Sequence, residues 1–318
     1  MAVSMTKTVL VTGATGFIGS SLIKALAESS LYNAIPCGRK GSCLDTILFG
    51  SKVQHWDILE DDEPDCHYPV DVIFHCATAN NVLSADFKSG VDLTVYGTER
   101  VLSYAVKNNV TEVFFLSTVQ VYGTELSGII SEETPSCCET GYALNHFYGE
   151  ELCRFYNRKY GLKVTIIRPT NVYGVPLCSG SKRDTLVPAC FVNEAITYGH
   201  IILKTPGLQY RNFISTSEIA YNMLQLLDST GCNSDSRIVN ISSNLYYSIY
   251  DVAQLVANKY KDLFGREIPV CVTTHGKMSS KIPFSVSGNV SITRNPREVS
   301  AGIFEQTIEK LLTGEGHE

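Results

Sequence analysis

The sequence contains no apolar run that approaches the roughly 20 residues of a membrane span, and its start lacks the charged and apolar segments of a signal peptide. No CxxC pair occurs among its eleven cysteines, so the spacing of a zinc site is missing. A formal net charge of −6 excludes a broad basic surface for nucleic acid. We therefore expect a cytoplasmic protein with reduced thiols and no metal, membrane or nucleic-acid partner.

The remaining composition is that of a globular protein, with 44% hydrophobic and 18% charged residues and no biased tract. A chain of 318 residues is long for one compact unit. We predict two lobes, residues 1–174 and 175–318. Parts of the second segment can return to the first lobe.

Short apolar runs alternate with longer helical patterns between Thr8 and Pro169. Such runs are apolar on both faces because helices cover both sides of a parallel sheet, and right-handed connections make the fold doubly wound. The pattern therefore predicts an α/β Rossmann domain with strands at residues 9–11, 72–74, 113–116 and 164–167. The looser second half predicts a smaller α+β lobe with helices near residues 248–263 and 303–312, the first capped by Ser248 and Asp251.

A glycine-rich segment, TGATGFIG, follows the first predicted strand and opens a helix. Glycine is needed where the backbone turns sharply and approaches a pyrophosphate, whose charge then lies on the helix N-terminal amides. The position between a strand and a helix is the context that this motif requires. We predict that a dinucleotide is bound by Gly13, Gly16, Phe17, Ile18 and Gly19.

Further motifs follow in a fixed order within the first 174 residues. They are Asp57-Ile58, HCAT at 75–78, FLST at 115–118 with VYG at 121–123, YALNH at 142–146 and RPTNVYG at 168–174. Together with the glycine spacing, they resemble the extended short-chain dehydrogenases/reductases of the NAD-dependent epimerase/dehydratase type, which modify nucleotide sugars. The resemblance implies that Asp57, Ile58 and Ala77 lie beside the cofactor.

The second half of the chain carries one more such segment. RNFI at 211–214, followed by EIA at 218–220, is similar to the family's RDFIxVxDxA segment. The resemblance implies that Arg211 meets the diphosphate of a nucleotide sugar and that Asn171 also contacts the substrate. Relatives that act on flavonoid-like or steroid-like ketones lack this segment, so a nucleotide-activated sugar is the favoured substrate.

The resemblance also implies a catalytic pair. The Thr118 hydroxyl orients the substrate oxygen, and Tyr142 transfers its proton. A lysine four residues after the tyrosine normally binds the nicotinamide ribose and lowers the pKa of the phenol, but this chain has His146 there. Imidazole can still donate to a ribose hydroxyl, yet its ordinary pKa of about 6.5 leaves it mostly neutral at pH 7.

This replacement bears on the direction of the reaction. A phenol with a pKa of about 10 needs roughly 4 kcal/mol to ionise at pH 7 before it can act as a base, whereas a phenol that acts as an acid starts in its neutral form. We therefore predict net reduction of a keto sugar nucleotide. Two alternatives stay open: a nucleotide-sugar 4-epimerase that uses bound NAD, and a catalytically impaired protein that binds NAD(P) and a nucleotide sugar.

A dehydratase is disfavoured by the residues after Thr118. Dehydratases of the family place an Asp-Glu pair there, because elimination of water needs an acid and a base. This chain has Val119 and Gln120 instead.

The end of the second predicted strand bears on the cofactor. NAD-preferring relatives carry an acidic residue there, which accepts hydrogen bonds from the adenosine ribose, whereas this chain has Gly38. Arg39 and Lys40 follow, and a guanidinium binds phosphate bidentately. We predict that these two residues bind the 2′-phosphate of NADP, with NAD as the alternative cofactor.

The resemblance finally implies an assembly. Family members often form homodimers in which two helices from each subunit build a four-helix bundle. The corresponding segments are residues 91–106 and 142–160.

Overall fold

The computed structural model describes residues 6–39, 47–66, 68–178, 184–228, 237–273, 284–287 and 297–315. The strands within these ranges are β1 Lys7–Thr12, β2 Tyr32–Gly38, β3 Ile47–Leu48, β4 Ser51–Lys52, β5 Gln54–His55, β6 Val72–His75, β7 Glu112–Leu116, β8 Ile129–Ile130, β9 Lys163–Pro169, β10 Asn171–Tyr173, β11 Ile201–Leu203, β12 Tyr210–Ser215, β13 Arg237–Ile241, β14 Tyr246–Ser248, β15 Val270–Val272 and β16 Ser285–Val286. The α-helices are α1 Phe17–Ala27, α2 Phe87–Val91, α3 Gly97–Lys107, α4 Gly141–Tyr160, α5 Ala189–Tyr198, α6 Thr216–Asp228, α7 Ile249–Phe264 and α8 Arg297–Thr313.

Seven strands form one parallel sheet in the order β13-β9-β7-β6-β1-β2-β5. The four strands predicted from apolar runs lie inside β1, β6, β7 and β9. Reversal of the strand order on either side of β1 is the mark of a doubly wound sheet. The predicted Rossmann-type α/β fold is confirmed.

Side chains alternate between the two faces of this sheet, as the period of two in a strand requires. Val9 and Phe74 join one buried cluster with α1 and α6. Leu10 and Ile73 join a second cluster with α3 and α4. Both faces are thus covered by helices, which explains why the strands are apolar throughout.

A third buried cluster holds the smaller lobe together and is built from α5, α7, α8 and the short sheet β10-β12-β14. At its centre the Phe304 ring lies 4.6 Å from the ring of Tyr173 and 5.3 Å from that of Phe213. The predicted cap is present: the Ser248 hydroxyl accepts from the Asp251 amide, and the Asp251 carboxylate accepts from the Ser248 amide. An apolar cluster and a capped helix therefore stabilise this lobe.

The last helix begins earlier than the sequence pattern predicts. The apolar periodicity starts near Ile303, whereas α8 begins at Arg297. The first turns of α8 are mostly polar, so hydrophobic spacing gave no sign of them.

The second half of the chain returns to the first lobe. α6 packs in the same cluster as α1, and β13 pairs with β9 at the edge of the sheet, from Arg237 opposite Thr165 to Ile241 opposite Pro169. The division of the chain at residue 174 remains a prediction.

None of the helices in the described part of the chain combines the length and apolarity that a membrane crossing requires. Within the same residues, no group of three or more His, Cys, Asp and Glu side chains is arranged to hold a metal ion.

Candidate active site

A cleft with a cavity volume of about 320 Å³ lies at the carboxyl ends of the central strands. Ligands of open α/β sheets bind at this edge. Ten of the residues predicted to form the site line it: Gly13, Gly16, Phe17, Ile18, Gly19, Thr118, Tyr142, His146, Asn171 and Arg211. The fold thus brings together residues that are up to 198 positions apart in the chain.

The loop between β1 and α1 can be built only with glycine. Gly13 has a φ of +65°, and a Cβ there would lie 2.9 Å from the backbone nitrogen of Ala77. A Cβ on Gly19 would lie 2.2 Å from the carbonyl oxygen of Gly13. Gly16 precedes α1 without a side-chain cap, and the first turn holds no acidic residue. This cradle and the uncapped amides fit the pyrophosphate of a dinucleotide.

Hydrogen bonds of His75, the last residue of β6, connect β6 to the end of β1, where the glycine loop begins. The hydroxyl of Thr12 lies 2.7 Å from Nδ1 of His75, and Nε2 of His75 lies 3.0 Å from the Thr98 hydroxyl. Because Thr98 donates to the Thr94 carbonyl, it accepts from Nε2, which leaves Nδ1 to accept from Thr12. This chain of hydrogen bonds holds the ends of β1 and β6 together.

The two predicted catalytic hydroxyls lie on different elements. Thr118 follows β7 and is 6% exposed, and its Oγ1 accepts a hydrogen bond of 3.2 Å from the amide of Gln120. Because this oxygen is an acceptor, its hydrogen can be donated to a substrate. Tyr142 lies in the first turn of α4, which is capped by the Thr140 side chain. Both side chains face the same cleft.

His146 lies one turn beyond Tyr142, and their ring centroids are 4.6 Å apart in an edge-on arrangement. The side chain is 2% exposed. Neither of its ring nitrogens has a hydrogen-bond partner of good geometry among the described residues. Buried polar atoms are rarely left unpaired, so these nitrogens are available to a ligand that enters the cleft.

Burial sets the charge of this histidine. Desolvation lowers the pKa of His146 to about 4, although the Ala79 carbonyl and the Glu150 carboxylate act in the opposite direction. Desolvation, together with the nearby His146, also lowers the pKa of His75 to about 3. Both imidazoles are neutral at pH 7, as the ordinary pKa of a histidine predicted for position 146, and His146 adds no positive charge beside Tyr142.

A buried carboxylate joins the elements that carry the site. Glu150, on α4 and fully buried, accepts a hydrogen bond of 2.6 Å from Ser117 and one of 2.8 Å from Nε of Arg168 on β9. A second guanidinium, of Arg154, lies 3.2 Å from the other carboxylate oxygen. Sequence reasoning missed Glu150, whose only signal was its spacing of eight residues from Tyr142, on the same helical face.

Arg211 and Asn171 lie on the second side of the cleft. Burial lowers the pKa of the Arg211 guanidinium, and Glu125 opposes that effect. A partly desolvated cation of this kind is well suited to a diphosphate. The Asn171 amide donates a hydrogen bond of 3.0 Å to the carbonyl of Asn212, which fixes its orientation.

Four of the predicted cofactor residues that the structure describes do not line this cleft. Ala77 contacts Gly13 through its backbone, as described above. Arg39 is exposed directly after β2, which ends at Gly38 as predicted. Asp57 caps its own turn by accepting from the Leu59 amide, and Ile58 is 4% exposed. Lys40 lies outside the described residues.

The cleft contains polar residues that the motifs did not indicate, among them Asn80, Asn81, Gln120 and Thr185. No aspartate, glutamate or lysine occurs among the described residues of its lining, and Arg211 is the charged side chain there. The acid–base chemistry of the described lining is thus concentrated in Tyr142 and the neutral His146.

The fold and this cleft define a dinucleotide-binding α/β enzyme. The model of the NAD dependent epimerase/dehydratase family matches residues 9–242. The chain belongs to this family and is an NAD(P)-dependent enzyme of the short-chain dehydrogenase/reductase type.

Relatives within the family carry out different reactions. The chain is 27% identical to the dTDP-D-glucose 4,6-dehydratase of Homo sapiens over 273 residues, which cover 80% of this chain and 75% of that one. It is 25% identical to the dTDP-4-dehydro-6-deoxy-D-allose reductase of a Streptomyces species over 268 residues, covering 79% and 80%.

A solved structure shares the fold. The UDP-glucuronic acid 4-epimerase of Bacillus cereus, in complex with UDP-glucuronic acid and NAD, superposes with a TM-score of 0.77 and 21% identity. The match covers 96% of this chain and 99% of that one.

The low pKa of His146 predicts how stability depends on pH. In the unfolded chain the imidazole binds a proton below about pH 6.5, whereas the folded chain resists protonation down to about pH 4. The unfolded state therefore binds more protons in this window, and the free energy of unfolding falls as the pH is lowered. For His146 alone we expect a loss of about 2 kcal/mol between pH 7 and pH 5.

Urea unfolding of the wild type and of His146→Phe at the two pH values measures this contribution. The variant should lose about 2 kcal/mol less than the wild type on acidification. His200→Phe, in the turn after α5, is the matched control and should keep the wild-type dependence. Equal losses in the wild type and in His146→Phe would contradict a neutral, buried imidazole.

Proposed function

We propose that this enzyme reduces the keto group of a nucleotide-activated sugar with NADPH. The observation that carries the proposal is the composition of the cleft, which unites Thr118, Tyr142 and a glycine cradle but has no aspartate, glutamate or lysine among its described lining residues. One hydroxyl holds the keto oxygen, and one phenol gives it a proton.

The lining argues against reactions that need a second acid–base pair. Elimination of water from a sugar requires an acid and a base at neighbouring carbons. Gln120 lines the cleft two residues after Thr118, and an amide side chain can serve as neither. A single proton transfer at Tyr142 remains.

Each residue has a defined task in this proposal. NADPH, held by the glycine loop and His146, would supply the hydride. Thr118 donates its hydroxyl hydrogen to the keto oxygen and orients it, while Tyr142 protonates that oxygen. His146 donates a hydrogen bond from one ring nitrogen to a ribose hydroxyl of the cofactor, which would satisfy a buried nitrogen that has no hydrogen-bond partner of good geometry among the described residues. Arg211 binds the diphosphate of the substrate.

The neutral state of His146 supports reduction over oxidation. A cation beside the phenol would stabilise the phenolate, but an imidazole with a pKa of about 4 is uncharged at pH 7. In reduction Tyr142 starts as the neutral phenol and gives its proton to the more basic alkoxide that hydride addition forms, so it needs no ionisation before the step. In oxidation it must first lose its proton.

A nucleotide-sugar 4-epimerase that uses bound NAD is the second candidate. The observation in its favour is the match over 96% of this chain to a structure solved as a 4-epimerase with NAD. An epimerase must both remove and return a proton through Tyr142. That requirement makes it more sensitive than a reductase to the missing lysine.

NADP(H) is the proposed cofactor, with NAD as the alternative. Support comes from β2, which ends at Gly38 without a carboxylate, and from the exposed Arg39 that follows it. A carboxylate at this place would repel the 2′-phosphate, whereas a guanidinium attracts it.

We also propose a homodimer built on α3 and α4. Aromatic side chains are exposed along these helices and the π-helical segment Asp92–Tyr96 that leads into α3: Tyr96 is 51%, Phe155 42% and Tyr160 47% exposed. Association would remove this apolar surface from water.

Oxidation of NADPH in the presence of UDP- and dTDP-linked 4-keto sugars tests the reaction. We expect NADPH consumption with a keto sugar, and a fall in kcat of about 10²- to 10⁴-fold in Tyr142→Phe, because the proton donor is lost. Tyr148→Phe, on the same helix but 42% exposed, is the matched control.

Two results would contradict the proposed reductase activity. Interconversion of UDP-glucose with its 4-epimer, without net change in the cofactor, would replace the reductase with the epimerase. Cofactor binding without either activity would identify a binding protein.

Cofactor selectivity is tested separately by fluorescence titration with NADPH and NADH. In Arg39→Ala the affinity for NADPH should fall by about tenfold or more, since a charge-assisted hydrogen bond to phosphate is lost, while that for NADH stays nearly constant. Lys52→Ala, another exposed cation nearby in sequence, is the control. Equal weakening of both cofactors would contradict recognition of the 2′-phosphate by Arg39.

Substrate recognition is tested with UDP-glucose and dTDP-glucose as calorimetric probes. Arg211→Gln should lower the affinity by about tenfold or more, because the guanidinium–diphosphate contact is removed. The control Arg158→Gln changes an exposed cation on α4 and should have no effect. Unchanged affinity in Arg211→Gln would remove this residue from the substrate site.

A further inference from the structure

A fourth buried cluster lies directly behind the predicted catalytic Thr118. Thr118 is the N-cap of a 3₁₀ turn, Val119–Tyr122, which we call the Thr118 turn. The buried members of the cluster are Val119, Val121 and Tyr122 of this turn, Ile130 of β8, and Phe284. Val119 also lines the cleft, whereas Phe284 is not among the described residues of the lining. The Thr118 turn thus packs between the cleft and a phenyl ring from the far end of the chain.

Phe284 belongs to a short segment, residues 284–287, which we call the clasp. Its strand β16 pairs in parallel with β8. The Ser285 amide donates a hydrogen bond of 2.9 Å to the carbonyl of Gly128, and the Ser287 amide donates one of 2.8 Å to that of Ile130. Because β8 lies between Thr118 and Tyr142 in the chain, the clasp restrains the connection between the two predicted catalytic hydroxyls.

The clasp also contacts the pair of strands that carries Arg211. The Tyr246 hydroxyl, on β14, accepts a hydrogen bond of 3.2 Å from the Val286 amide. The ring centroids of Tyr246 and Phe284 are 5.7 Å apart in an edge-on arrangement. β14 pairs with β12, and Tyr246 lies opposite Asn212, the residue after Arg211. Packed side chains therefore connect the strand of Arg211 to the Thr118 turn.

A buried asparagine reinforces the same junction. The Tyr122 hydroxyl donates a hydrogen bond of 2.8 Å to Oδ1 of Asn240 on β13, and the Asn240 amide donates one of 2.9 Å to the Glu132 carboxylate. Nδ2 of Asn240 donates to the Ser287 carbonyl at 3.4 Å. The Thr118 turn, the loop after β8 and the clasp thus meet at one side chain.

We propose that Phe284 is a positioning residue, which supports the Thr118 turn and, through Tyr246, couples it to the strand of Arg211. The inference rests on the proposed function, in which Thr118 orients the keto oxygen and Arg211 binds the diphosphate. A close-packed core transmits displacements, because its side chains have few alternative arrangements. Removal of the Phe284 ring leaves space behind Val119, so the Thr118 hydroxyl is no longer held at one distance from Tyr142.

Hydrogen exchange of the ligand-free full chain measures this support without any reaction. The amides of Gly123 and Cys137 donate to the carbonyls of Gln120 and Val121 in the Thr118 turn. In Phe284→Ala and in Tyr246→Phe these amides should exchange about fivefold faster than in the wild type or more, which corresponds to one lost net hydrogen bond. The amides of α6, which packs in the cluster of α1, should keep their wild-type rates.

Kinetics with the keto sugar separates positioning from general stability. In Phe284→Ala we expect kcat to fall by about tenfold to a hundredfold, because a displacement of roughly 1 Å at a reacting group has effects of this size, while the KM for NADPH stays within about twofold. Phe284→Leu should restore most of the rate, since its side chain still packs on Val119. The matched control is Phe191→Ala on α5, which removes an equally buried ring from a different cluster and should keep the wild-type kcat.

Three results would overturn the inference. They are wild-type exchange at Gly123 and Cys137 in both variants, faster exchange with an unchanged kcat, and a fall in kcat that Phe191→Ala reproduces at an equal loss of stability in urea. Tyr246→Phe removes only a hydroxyl and gives the same readouts if Phe284→Ala does not fold. A wild type without reductase activity would contradict the proposed function, but the exchange rates would still decide whether Phe284 holds the Thr118 turn.

Discussion

The candidate active site depends on one buried carboxylate. Glu150 is fully removed from solvent, so its charge has to be compensated by donors that reach it from other elements. Those donors are Ser117 at the end of β7 and Arg168 on β9, while Glu150 itself lies on α4. The same three elements carry Thr118, the segment leading to Asn171, and the pair Tyr142–His146. The ion pair therefore ties together the elements that carry the predicted catalytic hydroxyls of Thr118 and Tyr142.

Local patterns made much of this fold predictable from sequence. The apolar runs of β1, β6, β7 and β9 are short and continuous, and the glycine loop sits between a strand and a helix, so both signals lie within a few residues. The capping pair of α7 is equally local. By contrast, β13 and α6 belong to the sheet only through pairing with β9 and packing on α1. Contacts between distant segments have no such signature in one sequence.

The same distinction applies to the candidate site. Motifs identified the residues that line the cleft, but they carried no information on Glu150 or on the polar side chains Asn80, Asn81 and Thr185. They also gave only the ordinary pKa of a histidine at position 146. The further fall to about 4 comes from burial, which is a property of the packed structure. The sequence therefore predicted that His146 is mostly neutral at pH 7, but it did not predict how far burial lowers the pKa.

The charge balance of the cleft connects these observations to the reaction. A phenol that must ionise at pH 7 without a neighbouring cation faces a cost of roughly 4 kcal/mol, which corresponds to about a thousandfold in rate. Tyr142 meets no such cost before the step if it donates its proton to an alkoxide, which is the stronger base, but it must ionise first in every turnover in which it removes a proton. Burial of His146 is therefore compatible with fast reduction but slows any cycle that begins with oxidation. The physical question that separates the reductase from the epimerase is whether a bound substrate or cofactor supplies the missing positive charge.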